Sequence, residues 1–133
     1  MFKSFSWPLR VYYEDTDAGG VVYYANYLKF FERARTEWLR SFGVNQDKLA
    51  EEQNLIFVVR SAALEFVSPA RLDDLVEVTV EPLKLARVYV ELAQKVRRGG
   101  QVLASAEVKA ACLDRRNFKP VAIPQSLRES IQQ

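Results

Sequence analysis

Between residues 24 and 42 apolar side chains return every three or four positions, and from residue 55 onward they return every second position. That change of period is the tightest constraint on the fold. A helix buries a stripe and a strand buries alternate residues, so the chain reads as one long amphipathic helix followed by strands. Tyr27, Phe30, Phe31, Ala34, Trp38 and Phe42 form the stripe, and Leu28 and Leu39 widen it. Arg33 and Glu37 lie four apart between them and can pair weakly. Gly43 is placed to stop the helix, and Asn45 to cap a second, short helix over residues 46–53.

Strand signals surround these helices. Pro8 to Tyr13 reads as a first strand and Leu55 to Phe66 as a second, followed by a connection over residues 69–74. Val76, Val78 and Val80 mark the next, and Val88, Val90, Leu92, Gln94 and Val96 one face of another. Gly99-Gly100 is a two-residue hairpin signal. Val102, Ala104, Ala106, Val108, Ala110 and Cys112 share a face of the last strand, and a short helix is expected after Pro124. The four later strands are expected to form an antiparallel meander. The fold class is α+β: one apolar helix stripe and one curved sheet bury each other. The small residues Ala104, Ala106 and Ala110 are expected to let the sheet pass close to the helix. With 133 residues and no repeat or linker-like stretch, residues 1–133 read as one domain.

Several chemistries are excluded by what the chain lacks. It has no histidine and one cysteine, Cys112. A Ser-His-Asp or Cys-His nucleophile cannot be built, a zinc site lacks its usual ligands, and no intrachain disulfide forms. Cys112, between Ala111 and Leu113, reads as a buried core thiol. No apolar run approaches the ~20 residues of a membrane span, and residues 1–7 do not read as a signal peptide. The net charge of +2 gives no case for nucleic acid. Residues 1–82 hold 9 basic and 13 acidic side chains and residues 83–133 hold 10 and 4. The basic second part could meet a phosphorylated ligand or form a solvated face; Arg87, Arg97, Arg98, Arg115 and Arg116 are the candidate phosphate contacts.

Acid–base chemistry must then come from carboxylates, tyrosine, lysine, backbone amides or water. One segment gathers these. Glu14-Asp15-Thr16-Asp17-Ala18-Gly19-Gly20 breaks the strand pattern and runs straight into the N-terminus of the long helix. The first turn of a helix offers unpaired N–H groups and partial positive charge, which can polarise a carbonyl. A carboxylate at Asp17 across a small pocket from those amides supplies the minimum for acyl transfer. Spacing alone favours Asp15 and Asp17 as turn formers or a helix cap over a catalytic role. A calcium loop fails at its fifth position, Gly19, and its twelfth, Asn26, and a phosphate loop lacks Gly-Lys-Ser/Thr.

The run from Val11 to Tyr23, with Glu14-Asp15-Thr16-Asp17-Ala18-Gly19-Gly20-Val21-Val22 at its centre, closely resembles the signature of the YbgC-like acyl-CoA thioesterases, within the wider 4-hydroxybenzoyl-CoA thioesterase family. The likeness continues through Ala25-Asn26-Tyr27 and residues 31–37, returns at residues 68–74, and covers nearly the whole chain. It implies a hotdog fold, an antiparallel sheet wrapped around a long central helix. It implies a cytoplasmic hydrolase of short- or medium-chain acyl-CoA, or of the same acyl groups on acyl carrier protein. It also implies a homotetramer built as a dimer of dimers, with active sites at the dimer interface. Coenzyme A enters as part of the substrate, and no separate cofactor or metal is implied. Asp17 is implied as the catalytic carboxylate and Tyr24 as its catalytic companion, with the thioester carbonyl on backbone N–H near Tyr24. Gly19, Gly20, Val21, Val22, Tyr23 and Asn26 are implied to bind substrate. YbgC-like members usually carry His where this chain has Tyr24, whereas the hydroxybenzoyl branch carries Tyr. An aromatic acyl group is therefore the alternative substrate, and a non-catalytic acyl-CoA or acyl-carrier binding module the alternative function.

Overall fold

The computed structural model describes residues 2–133. Its elements are β1 (Phe5–Arg10), α1 (Asn26–Ser41), α2 (Gln46–Gln53), β2 (Leu55–Phe66), β3 (Leu75–Leu85), β4 (Tyr89–Arg98), β5 (Gln101–Asp114) and α3 (Gln125–Gln132). The strands form one antiparallel sheet in the order β1-β3-β4-β5-β2, and α1 packs against it. No helix among the described residues is long and apolar enough to cross a membrane.

The helical stripe is buried as its spacing requires. Tyr27, Phe30, Phe31, Ala34, Trp38 and Leu39 face the sheet, where Val76, Val78 and Val80 of β3 and Leu92 and Val96 of β4 complete the core. Each large side chain removed from water in this way contributes about 1.5–3 kcal/mol before entropy is charged against it. Gly43, at φ +81°, ends α1 in the left-handed region that a side chain resists. The Asn45 side chain accepts from Lys48 N–H at 3.2 Å and caps α2. Gly99 takes φ +60° in the β4–β5 hairpin.

Four expectations need correction. The strand expected over Pro8–Tyr13 is Phe5–Arg10, because the Asp15 carboxylate captures Tyr12 N–H at 2.8 Å and curls residues 13–15 into a 3₁₀ turn. Pro8 sits inside β1, which the sheet edge allows because no neighbour needs its missing N–H. Only β3, β4 and β5 form a meander. β2 pairs with β5, and residues 67–74 carry the chain from one side of the sheet to the other. That connection starts with Val67 and Ser68 N–H on the Leu103 carbonyl and ends in a tight turn, where Asp74 N–H bonds to the Arg71 carbonyl at 3.1 Å, Asp74 Oδ2 accepts from Arg71 N–H at 2.9 Å and Asp73 takes φ +69°. The close approach of α1 is to β3, β1 and β4, not to the alanine-bearing β5. Finally, Glu37 pairs with Arg40 at 2.9 Å, not with Arg33.

Candidate active site

The loop ahead of α1 is built around two aspartates with opposite surroundings. Asp15 is 5% exposed. Its carboxylate holds Tyr12 N–H, and its carbonyl accepts from Tyr23 N–H at 3.0 Å and from the Asn26 side-chain amide at 2.9 Å. Asp15 is thus the knot that ties loop to helix. Asp17, two residues on, is exposed on a tight turn. Gly20 N–H bonds to its carbonyl at 3.0 Å, and Asp17 N–H bonds to the Val21 carbonyl at 2.9 Å.

The glycines of this turn have separate reasons. Gly20 is at φ +79°, a conformation in which a side chain is strained. Gly19 donates its N–H to Asp17 Oδ1 at 2.8 Å, and a Cβ there would lie 3.2 Å from the same oxygen. The turn therefore orients one carboxylate oxygen and leaves the other free. Asp17 shares a shallow concavity with Tyr13, Thr16, Ala18, Gly20 and Leu72. Two side chains there, Tyr13 and Leu72, were not foreseen. Leu72 follows Arg71, whose bridge to Val21 brings the 67–74 connection onto this loop.

The helix start is unusual. The N-cap position is Ala25, in helical geometry, with no capping side chain and no acidic residue in the first turn. Ser, Thr, Asp or Asn normally stand there. Asn26, Tyr27 and Leu28 donate to the carbonyls of Tyr23, Tyr24 and Ala25. Tyr24 and Ala25 N–H donate to no protein acceptor among the described residues. Two open amides thus sit at the positive end of a 16-residue helix.

Tyr23 joins the two halves. Its ring lies 4.9 Å from that of Tyr24. The Tyr24 phenol, through a hydrogen bond and through charge, raises the Tyr23 pKa above the ordinary phenol value, with burial and the Asp17 carboxylate adding to it. Phe66, at the end of β2, meets Tyr24 edge-on at 6.2 Å and Tyr27 at 5.4 Å. The sequence signal for Phe66 is its two-residue step from Leu64, which turns both toward the helix side. Tyr27 is core, yet its hydroxyl accepts from Ala70 N–H at 3.0 Å, while the Ala70 carbonyl accepts from Val22 N–H at 2.8 Å. Val22 is buried and Val21 half-buried. In this chain Val21, Val22 and Asn26 brace the loop, whereas Asp17, Gly19, Gly20, Tyr23 and Tyr24 are open to solvent.

The profile of the thioesterase-like superfamily matches residues 11–131. The chain belongs to this family. The acyl-CoA thioesterase YbgC of Haemophilus influenzae is 49% identical over 95% of this chain and 93% of its own length. A 1,4-dihydroxy-2-naphthoyl-CoA hydrolase of Thermosynechococcus vestitus is 32% identical over 90% and 86%. Among solved structures, a probable thioesterase from Bartonella henselae superposes with a TM-score of 0.87 at 37% identity, covering 92% of this chain and all of that one. The fold is the hotdog fold of this thioesterase family, as the sequence resemblance implied. YbgC-like identity and hotdog fold were thus both legible beforehand.

Of the five arginines expected as phosphate contacts, four are engaged within the chain. Arg98 binds Asp74 at 2.6 Å, Arg116 binds Asp114 at 2.7 Å, Arg115 binds the Asn54 side chain at 3.1 Å, and Arg97 lies 3.7 Å from Glu77. Arg87 is exposed, with only its backbone carbonyl used.

Proposed function

We propose that this chain hydrolyses acyl-CoA thioesters, with Asp17 as the catalytic carboxylate and the amides of Tyr24 and Ala25 as the oxyanion site. The observation that carries this reading is the exposed Asp17 carboxylate, oriented by Gly19 N–H, one loop away from a helix start that no side chain caps. A helix that gives up its cap forgoes about 1 kcal/mol; such local losses collect where a ligand uses the groups left open.

In the reaction, water or the Asp17 carboxylate itself adds to the thioester carbon. The carbonyl oxygen takes up negative charge facing the two amides, where fixed donors stabilise it without reorganising. When water attacks, Asp17 accepts its proton. Collapse breaks the C–S bond, and the departing sulfur takes that proton, giving free acid and thiol. When Asp17 attacks, collapse breaks the C–S bond and expels the thiolate, leaving an acyl-aspartate anhydride. Water then cleaves that anhydride, its hydroxyl going to the acid and its proton to the thiolate, and Asp17 returns as the carboxylate. The Tyr24 phenol supplies a hydrogen-bond donor where a histidine would supply a titrating base.

The substrate we favour is a short- or medium-chain acyl-CoA, or the same acyl group on acyl carrier protein, handled by a dimer-of-dimers tetramer. A second reading, an aromatic acyl group, is supported by the wall of Tyr23, Tyr24 and Phe66 rings, since flat acyl groups stack well on such surfaces. Thiol release from a panel of aliphatic and aromatic acyl-CoA thioesters tests both. Turnover of aliphatic members that Asp17→Asn abolishes supports the first. Tight acyl-CoA binding without hydrolysis of any member would instead make the chain a binding module.

A further inference from the structure

Tyr27 stands on the buried stripe of α1, 3% exposed, with Phe30 and Phe31 beside it in the core. Packing alone would be met there by a phenylalanine, and a buried hydroxyl costs free energy unless it is hydrogen-bonded. This hydroxyl is used, and on a segment far along the chain: it accepts from Ala70 N–H at 3.0 Å. Ala70 is itself fully buried. From Ala70 a line of hydrogen bonds runs to the Asp17 turn. The Ala70 carbonyl accepts from Val22 N–H at 2.8 Å. One peptide back, the Val21 carbonyl accepts from Asp17 N–H at 2.9 Å, and Asp17 Oδ1 accepts from Gly19 N–H at 2.8 Å.

The turn is a miniature hairpin of two limbs, closed by the bridge between Thr16 and Val22. Each limb is gripped by a side chain from the first turn of α1. Asn26 holds the incoming limb through its 2.9 Å bond to the Asp15 carbonyl. Tyr27, the next residue, holds the returning limb through Ala70, and the bridge of Val21 with Arg71 keeps those two segments in register. The same helix turn adjoins the open amides of Tyr24 and Ala25. Carboxylate and amides are thereby fixed to one helix end, and the Tyr27 oxygen is where the returning limb is fastened to it.

We propose that Tyr27 is a positioning residue for hydrolysis: its hydroxyl, through Ala70 and Val22, sets the distance between the Asp17 carboxylate and the helix-start amides. This role rests on Asp17 being the catalytic carboxylate. Tyr27 itself, enclosed in the core, is out of reach of the substrate. A misplacement of about 1 Å can cost about 10²-fold in rate, so one buried oxygen can govern turnover from outside the site.

Tyr27→Phe removes that oxygen and keeps the ring, with its contacts to Phe30 at 5.8 Å and Phe66 at 5.4 Å. In thiol-release kinetics on the acyl-CoA that the wild type turns over fastest, kcat should fall about tenfold or more while KM stays within about twofold, the mark of a loss confined to the transition state. Amide exchange followed by NMR should quicken at Ala70, Val22 and Asp17 more than in α3. Val80→Ala, a core truncation in mid-β3, lowers stability without touching this line and should keep the wild-type kcat. A wild-type kcat in Tyr27→Phe would overturn the proposal, and so would an equal loss in Val80→Ala, since stability would then account for both. The wild type is informative even where the variant does not fold: Ala70, Val22 and Asp17 N–H should be protected together, and an Asp17 amide exchanging at the rate of an unstructured chain would break the line. Absence of wild-type turnover would sink the hydrolytic reading and this role with it. Turnover abolished by Asp17→Asn but untouched by Tyr27→Phe would sink the role of Tyr27 alone.

Discussion

Asp15 and Asp17 are two residues apart, chemically identical, and assigned to different work by their surroundings. Asp17→Asn keeps the turn, because an amide oxygen still accepts from Gly19 N–H, but it loses the base. Turnover should fall by about 10²–10⁴-fold, the usual range for a positioned acid–base group, with the thermal midpoint unchanged in scanning calorimetry. Asp15→Ala should do the reverse at first. It strips the charged partner from the part-buried Tyr12 N–H and should cost about 1–3 kcal/mol in urea unfolding. Gly19→Ala should lower turnover in a thiol-release assay, because its Cβ would crowd Asp17 Oδ1 at 3.2 Å. From the bare sequence both aspartates were equally good turn formers. The difference between them lies in burial: Asp15 is tied to Tyr12, Tyr23 and Asn26 whereas Asp17 is exposed, and that leaves no mark in the local pattern.

At the scale of elements, the long helix and the hairpins were legible because each repeats a simple spacing or a turn residue. The pairing of β2 was not. Alternation says that a strand has an inner face but not which neighbour it takes, and the partner of β2 lies some fifty residues away. The end of β5 supplies an electrostatic prediction. Asp114 accepts from the Arg116 side chain and N–H, which lower its pKa from 3.8 to about 2. A carboxylate depressed in this way stabilises the fold above its unfolded value, and the contribution disappears as pH falls through about 2. Asp114→Asn should therefore lower the thermal midpoint at pH 7, and the gap from wild type should close progressively below pH 4 in pH-stepped melts.

At the scale of the molecule, β2 occupies one edge of the sheet with Val59 and Phe66 about half exposed. An uncovered edge of twelve residues invites pairing with another chain. The proposed tetramer predicts a mass near four times 15.3 kDa by light scattering, and a single 15.3 kDa species would argue against it. The sheet order has a further effect, on synthesis. Residues 55–66 leave the ribosome well before residues 101–114, their only partner within the sheet. Until β5 is made, the nascent chain carries an unpaired, largely apolar strand, and the residues that pin the Asp17 turn have no finished sheet to rest on. A stalled or C-terminally shortened product would therefore be prone to aggregate before it could acquire any activity, and demand for chaperones would peak during that interval.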